Sequence, residues 1–229
     1  MVVEQIPARV AGRAVTGDRW LHVINPYDGT EVGRVPACGP DDVDAACTGA
    51  AAALDRDDFP QHRRAEVLDR AAVLLGERSE EFARTVALEA AKPLRDARGE
   101  VARGVDTLRL SAAAARTLAG QMLPLEGSAG GVGRLGFTLR VPVGVVAAIT
   151  PFNFPLNLVA HKLGPAIAAG APVVLKPAEQ TPITAIRLVD LLVEAGLPDD
   201  WVSVLTGTGA EVGAPLVAHP LVRLVSFTG

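Results

Sequence analysis

Apolar residues change their spacing near Pro142, and the change divides the chain in two. Before it, Trp20–Ile24 and Glu31–Val35 flank Asn25-Pro26-Tyr27-Asp28-Gly29, whose turn chemistry predicts a small hairpin. An Ala-rich helix is expected from Asp41 to about Leu54. Pro60 is placed to open a second helix, in which Leu68, Ala71, Ala72 and Leu75 form one apolar face. Ser79 reads as the cap of a third helix carrying Phe82 and Val86. Pro93 reads as the start of a long one striped by Leu94, Ala97, Val101, Val105, Leu108 and Ala112. Gly120–Gly133 holds little periodicity and marks a boundary, and the alternation over Arg134–Val141 predicts a half-exposed strand.

Beyond Pro142, apolar runs alternate with helical segments. Strands are expected at Val143–Ile149, Val173–Leu175, Val202–Leu205 and Val222–Phe227, with helices at Leu156–Ala169, Ile183–Ala195 and Glu211–Ala218 between them. Continuous apolar strands separated by helices are the pattern of a buried parallel sheet with crossovers. The expected class is α/β: a Rossmann-like parallel sheet with flanking helices over residues 142–229, and residues 1–141 supplying a small N-terminal β element, a helical region and a connecting strand packed upon it. The last strand stops at Ser226-Phe227-Thr228-Gly229, where a crossover is expected to begin, so the domain reads as incomplete.

Composition narrows the function classes. A formal net charge of −4 with mixed signs, and only 4% aromatic residues, argue against a nucleic-acid partner. The first ten residues lack the basic and apolar regions of a secretion signal, and no apolar run is long enough to span a bilayer. Cys38 and Cys47 make no disulfide framework, and neither they nor the four histidines have metal-ligand spacing. The expectation is a cytoplasmic protein with no metal and no membrane partner.

Candidate chemistry gathers at predicted strand ends, where open parallel sheets bind ligands. Gly131-Val132-Gly133-Arg134-Leu135-Gly136 matches a dinucleotide fingerprint by letter but lacks the strand before and the helix after, so it reads as a loop running into a strand. In Pro151-Phe152-Asn153-Phe154-Pro155, two prolines stiffen the loop that carries Asn153. Its amide can donate to a developing oxyanion, or it can simply cap its own turn, the commoner use of Asn there. Lys176 and Glu179, in Lys176-Pro177-Ala178-Glu179, suit ribose hydroxyls, and equally suit two solvated charges in a loop. Thr206-Gly207-Thr208-Gly209-Ala210-Glu211-Val212-Gly213 either brings a helix start close to a nucleotide or is an ordinary glycine-rich turn.

Four successive strand ends carrying PFNFP, KPAE, TGTGAEVG and SFTG, with VPVGVVAAITPFNFPLNLVAHKLGPAIAAG around the first and LEAAKPLRDARGEV before it, resemble the aldehyde dehydrogenase superfamily from about Trp20 to Gly229. Pro124–Gly127 and Phe152 resemble lactaldehyde- or phosphonoacetaldehyde-type members. The resemblance implies NAD-dependent oxidation of a small aldehyde to a carboxylic acid, with NADP as a possible substitute, in an enzyme that is a homo-oligomer at full length. It implies that Asn153 helps form the oxyanion hole, that Lys176 and Glu179 grip the adenosine ribose, and that Ile149, Thr150, Gly209, Phe227 and Gly229 line the cofactor. Lys162 matches a lysine near the active centre. The family's serine after Gly229, its general-base glutamate and its nucleophilic cysteine are absent from the sequence, so this chain alone is expected to be inactive. It then acts as the cofactor-binding half of an enzyme, as a nucleotide-binding fragment, or as a subunit complementing another polypeptide. Ala91 and Ala171 stand where the family commonly has glycine and asparagine, changes expected to affect packing and loop geometry.

Overall fold

The computed structural model describes residues 3–229; Met1 and Val2, the start of the segment read as lacking a secretion signal, lie outside the described residues. Ten strands and seven α-helices follow one another along them. Strands β1 (Ala8–Val10) and β2 (Arg13–Val15) come first, then the hairpin β3 (Trp20–Ile24) and β4 (Glu31–Pro36). Four helices follow: α1 (Pro40–Asp55), α2 (Gln61–Glu77), α3 (Ser79–Ala90) and α4 (Leu94–Thr117). After the short pair β5 (Met122–Leu123) and β6 (Gly136–Phe137) comes the alternating part: β7 (Val145–Ile149), α5 (Asn157–Ala169), β8 (Val173–Lys176), α6 (Pro182–Glu194), β9 (Val202–Val204), α7 (Ala214–Ala218) and β10 (Val222–Phe227).

The main sheet has six strands in the order β10-β7-β8-β9-β1-β2. Its β10, β7, β8 and β9 are mutually parallel, as the apolar runs predict, while β1 joins β9 antiparallel and makes the sheet mixed. The first two strands are an addition to the sequence reading. They are three residues each, and their turn is Ala11-Gly12, with φ of 46° and 81°. Two positive φ values are what a type I′ turn needs, but an alanine there gives little signal. The expected hairpin forms at β3 and β4. Asn25 accepts from the Tyr27 N–H at 3.0 Å and Asp28 from the Thr30 N–H at 3.0 Å, so two side chains shape the loop.

Residues alternate between the two faces of the sheet. Val146, Ala148, Val173 and Leu175 pack into the larger core with α2, α4, α5 and α6. Val145, Ala147 and Val174 pack on the other side with α1, Leu216 of α7, Cys38 and Cys47. The result is three layers with the sheet in the middle.

The strand expected over Arg134–Val141 shrinks to Gly136–Phe137, paired among the described residues only with Met122–Leu123. Leu135, Leu139 and Val141 are exposed, because the described residues offer this alternation no face to cover. The glycine-rich fingerprint match lies in this segment, partly in a 3-10 turn ending at Gly131, with no parallel strand before it and no α-helix within it.

Candidate active site

Along the chain the sheet grows from β7 outward through β8 to β9, then returns to place β10 on the other side of β7. That reversal makes the carboxyl end of β7 a topological switch point, the usual ligand position in open α/β sheets. The register lines up the residues expected there. Phe227 pairs with Ile149, and Ile149 pairs with Lys176, so three of them form one row across β10, β7 and β8. Thr150 follows, buried, donating its N–H to the Lys176 carbonyl at 3.2 Å.

At the next strand end Lys176 is only 4% exposed and donates to the Pro177 carbonyl at 3.1 Å and to Glu179 Oε1 at 2.9 Å. Burial works against ionisation of Glu179, but the Lys176 ammonium together with the backbone N–H groups of Glu179 and Gly209 outweighs it. The carboxyl is held below its usual range. Gly209 has open space where a side chain would project, and Gly213 lies against the Lys176 stem, with 3.8 Å from a built Cβ to Lys176 Cδ. Lys176, Glu179, Gly209 and Gly213 are therefore gathered in one place.

The helix expected from Glu211 starts differently. Gly209–Gly213 is one π-helical turn, closed by the Ala214 N–H on the Gly209 carbonyl, and α7 follows. Pro215 stands in the first turn of α7, where its missing N–H leaves no ladder bond unmade. Thr208 caps it, its hydroxyl accepting from the Glu211 N–H at 3.1 Å.

The Asn153 loop spans the gap between β7 and α5. Asn153 is exposed, and its carboxamide makes no hydrogen bond among the described residues, so it does not cap its own turn. Its backbone carbonyl accepts from Lys92 Nζ at 2.7 Å. Lys162, on α5, is 8% exposed and donates to Ser226 Oγ and Thr228 Oγ1, both at 3.0 Å. Burial holds its pKa below the usual lysine range, and the partners it has are hydroxyls rather than a carboxylate. Gly229 lies exposed two residues past the row, beside the Phe227 ring.

Both cysteines are buried under the sheet. Desolvation raises the pKa of Cys38 and pushes that of Cys47 up to about 11, the opposite of what an attacking thiolate needs. No group of metal-binding side chains occurs among the described residues, and none of their helices is long and apolar enough to cross a membrane.

Sequence reasoning passed over Lys92, Glu89 and Glu100. Glu89 continues the buried stripe of Phe82 and Val86, and Glu100 stands beside Ala97 and Val101 in that of α4. A carboxylate on a buried helix face demands a partner, and that was the available signal. Glu100 Oε1 accepts the N–H groups of Leu156 and Asn157 at 2.9 and 3.1 Å, and Glu89 accepts those of Ile183 and Thr184 at 2.9 and 3.0 Å. Each carboxylate caps one crossover helix.

Fold and geometry define an open α/β protein with its candidate site at the switch point of the sheet. The chain matches the aldehyde dehydrogenase family over residues 14–229 and belongs to that family. It is 47% identical over 227 residues to a 3-sulfolactaldehyde dehydrogenase of Priestia aryabhattai, a match covering 99% of this chain and 47% of that relative. Aldehyde dehydrogenase 21 of Physcomitrella patens, solved with the reaction product succinate, superposes with a TM-score of 0.95 at 37% identity, covering 100% of this chain and 48% of that one. An NADP-dependent glyceraldehyde-3-phosphate dehydrogenase of Bacillus halodurans, solved with NADP, gives 0.94 at 36% identity, covering 98% and 48%. The chain thus spans about half the length of the curated relatives it matches.

Proposed function

We propose that residues 142–229 are the cofactor-binding region of an NAD-dependent aldehyde dehydrogenase, that residues 1–141 support it by packing helices on its sheet and extending that sheet with β1 and β2, and that Asn153 supplies an amide donor to the reacting carbonyl oxygen. The observation that carries this reading is the row Ile149–Lys176–Phe227 at the switch point, with an unengaged Asn153 carboxamide in the adjoining loop. The donor set fits a nucleotide: a buried ammonium and an ionised carboxylate 2.9 Å apart can together donate to and accept from a ribose diol. A carboxylate there repels a 2′-phosphate, which favours NAD over NADP. Such a cofactor, when bound, supplies the acceptor for the two electrons an aldehyde loses on oxidation.

Lys176 and Glu179 bind and orient, and the open Cα of Gly209 lets a ligand approach the backbone. Asn153 donates to the oxygen of the substrate as charge develops on it. Lys162 holds two hydroxyls at the end of β10 beside the site. The nucleophile is not Cys38 or Cys47, since both are buried with raised pKa values, so this chain alone forms no NADH from aldehyde. The substrate is a small aldehyde, in keeping with the name of the Priestia relative.

A second polypeptide segment carrying a cysteine and a glutamate completes the site. This is favoured by the exposed apolar side chains Leu224, Val225 and Phe227 on β10, whose one sheet neighbour among the described residues is β7. The exposed Leu135, Phe137, Leu139 and Val141 support a homo-oligomer for the whole enzyme.

Calorimetric titration with NAD and NADP tests the cofactor reading. The chain is expected to bind NAD more tightly, and E179Q to lose about tenfold or more in NAD affinity, the worth of a charge-assisted hydrogen bond. Binding of neither dinucleotide overturns the reading. So does aldehyde-dependent NADH formation that survives C38A together with C47A.

A further inference from the structure

Asn153 is useful as an amide donor only if its loop is held still; Pro151, Pro155 and the Leu158 N–H on the Phe154 carbonyl at 3.1 Å supply part of that restraint, none of it a hydrogen bond to Asn153. Leu156, at the cap position of α5, offers no side-chain hydrogen bond, and the Asn153 carboxamide makes none among the described residues. The remaining restraint comes from outside. Lys92 Nζ reaches the Asn153 carbonyl at 2.7 Å and Glu100 Oε2 at 2.5 Å, and sits 4.1 Å from the centre of the Phe154 ring. Glu100 is fully buried, and its other oxygen takes the Leu156 and Asn157 N–H groups. The Arg103 guanidinium stands 5.2 Å from the centre of the same Phe154 ring, and Thr107 donates to Asn157 Oδ1 at 3.2 Å. The loop is therefore pinned at residues 153, 154, 156 and 157 by side chains of α4 and the residue just before Pro93.

We propose that Lys92 and Glu100 are positioning residues for Asn153: one ion pair clamps the backbone on both sides of Pro155 and aims the carboxamide into the site. The proposal rests on the reading of Asn153 as the amide donor. Lys92 acts through a backbone carbonyl and touches no reacting atom. Its ammonium is needed for three contacts at once, which a neutral side chain of equal length cannot supply.

Carbon and nitrogen resonances of Asn153 test the clamp in the chain as it stands. In K92M the Asn153 carbonyl signal is expected to move upfield, as it does on losing a charged donor, and the carboxamide pair to broaden or collapse. K92R is expected to restore both. E100Q, which keeps an oxygen at the helix start but frees the ammonium, is the second variant: the Leu156 and Asn157 amide signals shift along with the Asn153 carbonyl. Asn153 signals that stay at their wild-type positions in whichever of K92M and E100Q folds overturn the proposal. NAD titration of wild-type chain is read at Lys176, Glu179 and Gly209. Absence of saturable shifts there removes the cofactor reading and leaves the clamp, whereas unmoved Asn153 signals with intact NAD binding remove the clamp alone.

Discussion

Ala91 takes a left-handed backbone at the end of α3, with φ of 47°, immediately before Lys92. A Cβ in that region meets the following carbonyl, at a cost of about 1 kcal/mol relative to glycine. The substitution A91G is therefore expected to raise stability by at most about 0.5 kcal/mol, the strain relieved minus the unfolded-state entropy that glycine adds. Urea denaturation measures this, and a lower midpoint for A91G would show that strain at this cap is not what limits the helix end. Ala171 has no comparable strain. It is buried, and its N–H closes on the Ala166 carbonyl at 2.9 Å after Gly170 turns the chain. Both residues depart from the family pattern where the resemblance placed them, and only Ala91 does so at a conformational cost.

The two crossover helices next to the site are each started by a carboxylate from another helix, Glu89 for α6 and Glu100 for α5. A helix start carries unsatisfied N–H groups, and a buried acceptor there compensates both those donors and the positive end of the helix dipole. Glu89 also carries a pH signature. Burial pushes its pKa up to about 7 against the pull of the Ile183 and Thr184 N–H groups, above the ordinary 4.5. The native state thus holds this proton more tightly than the unfolded chain does. Its contribution to stability is fully present below about pH 4.5 and is lost as pH rises through about 7, on the order of 3 kcal/mol in all. E89Q is expected to flatten that descent, read as unfolding free energy against pH. A slope identical to wild type assigns the titration to another group. These caps also mark what the sequence shows and hides. Helices α1 to α6 and strands β7 to β10 fall within a few residues of their expected places, because each buries an apolar face whose period is visible. Asn153, Lys176, Glu179 and Gly209 fall just past strand ends, as their places in the apolar pattern lead one to expect, because strand ends are visible in the sequence. Glu89 and Glu100 required knowing which helix start each would meet, which is tertiary information, and β1 and β2 were too short to show a period.

At the scale of the whole molecule, the two ends of the sheet are treated differently. The β2 end is formed by a short strand with two exposed residues. The β10 end sits beside the candidate site, and Leu224, Val225 and Phe227 are 42%, 41% and 65% exposed there. Unpaired backbone N–H and C=O groups with apolar side chains on either side form a template for another strand, which proteins normally cover or interrupt with charge. Arg223 is the only charged residue in β10, and it lies at its start. The chain by itself is therefore expected to self-associate through β10 as its concentration rises, whatever covers that edge in an assembled enzyme. L224K places a charge in mid-strand, on a residue paired with Val146, and is expected to shift the sedimentation profile toward monomer. NAD affinity should be retained, because Lys176, Glu179 and Gly209 lie on other strand ends. If the wild-type chain sediments as a monomer at every concentration tried, the edge is protected by its own twist and the argument for a covering segment loses its physical basis. If it associates and L224K does not, the surface that asks for a partner is the one flanking Ile149 and Phe227, so closing the sheet and completing the site are one event.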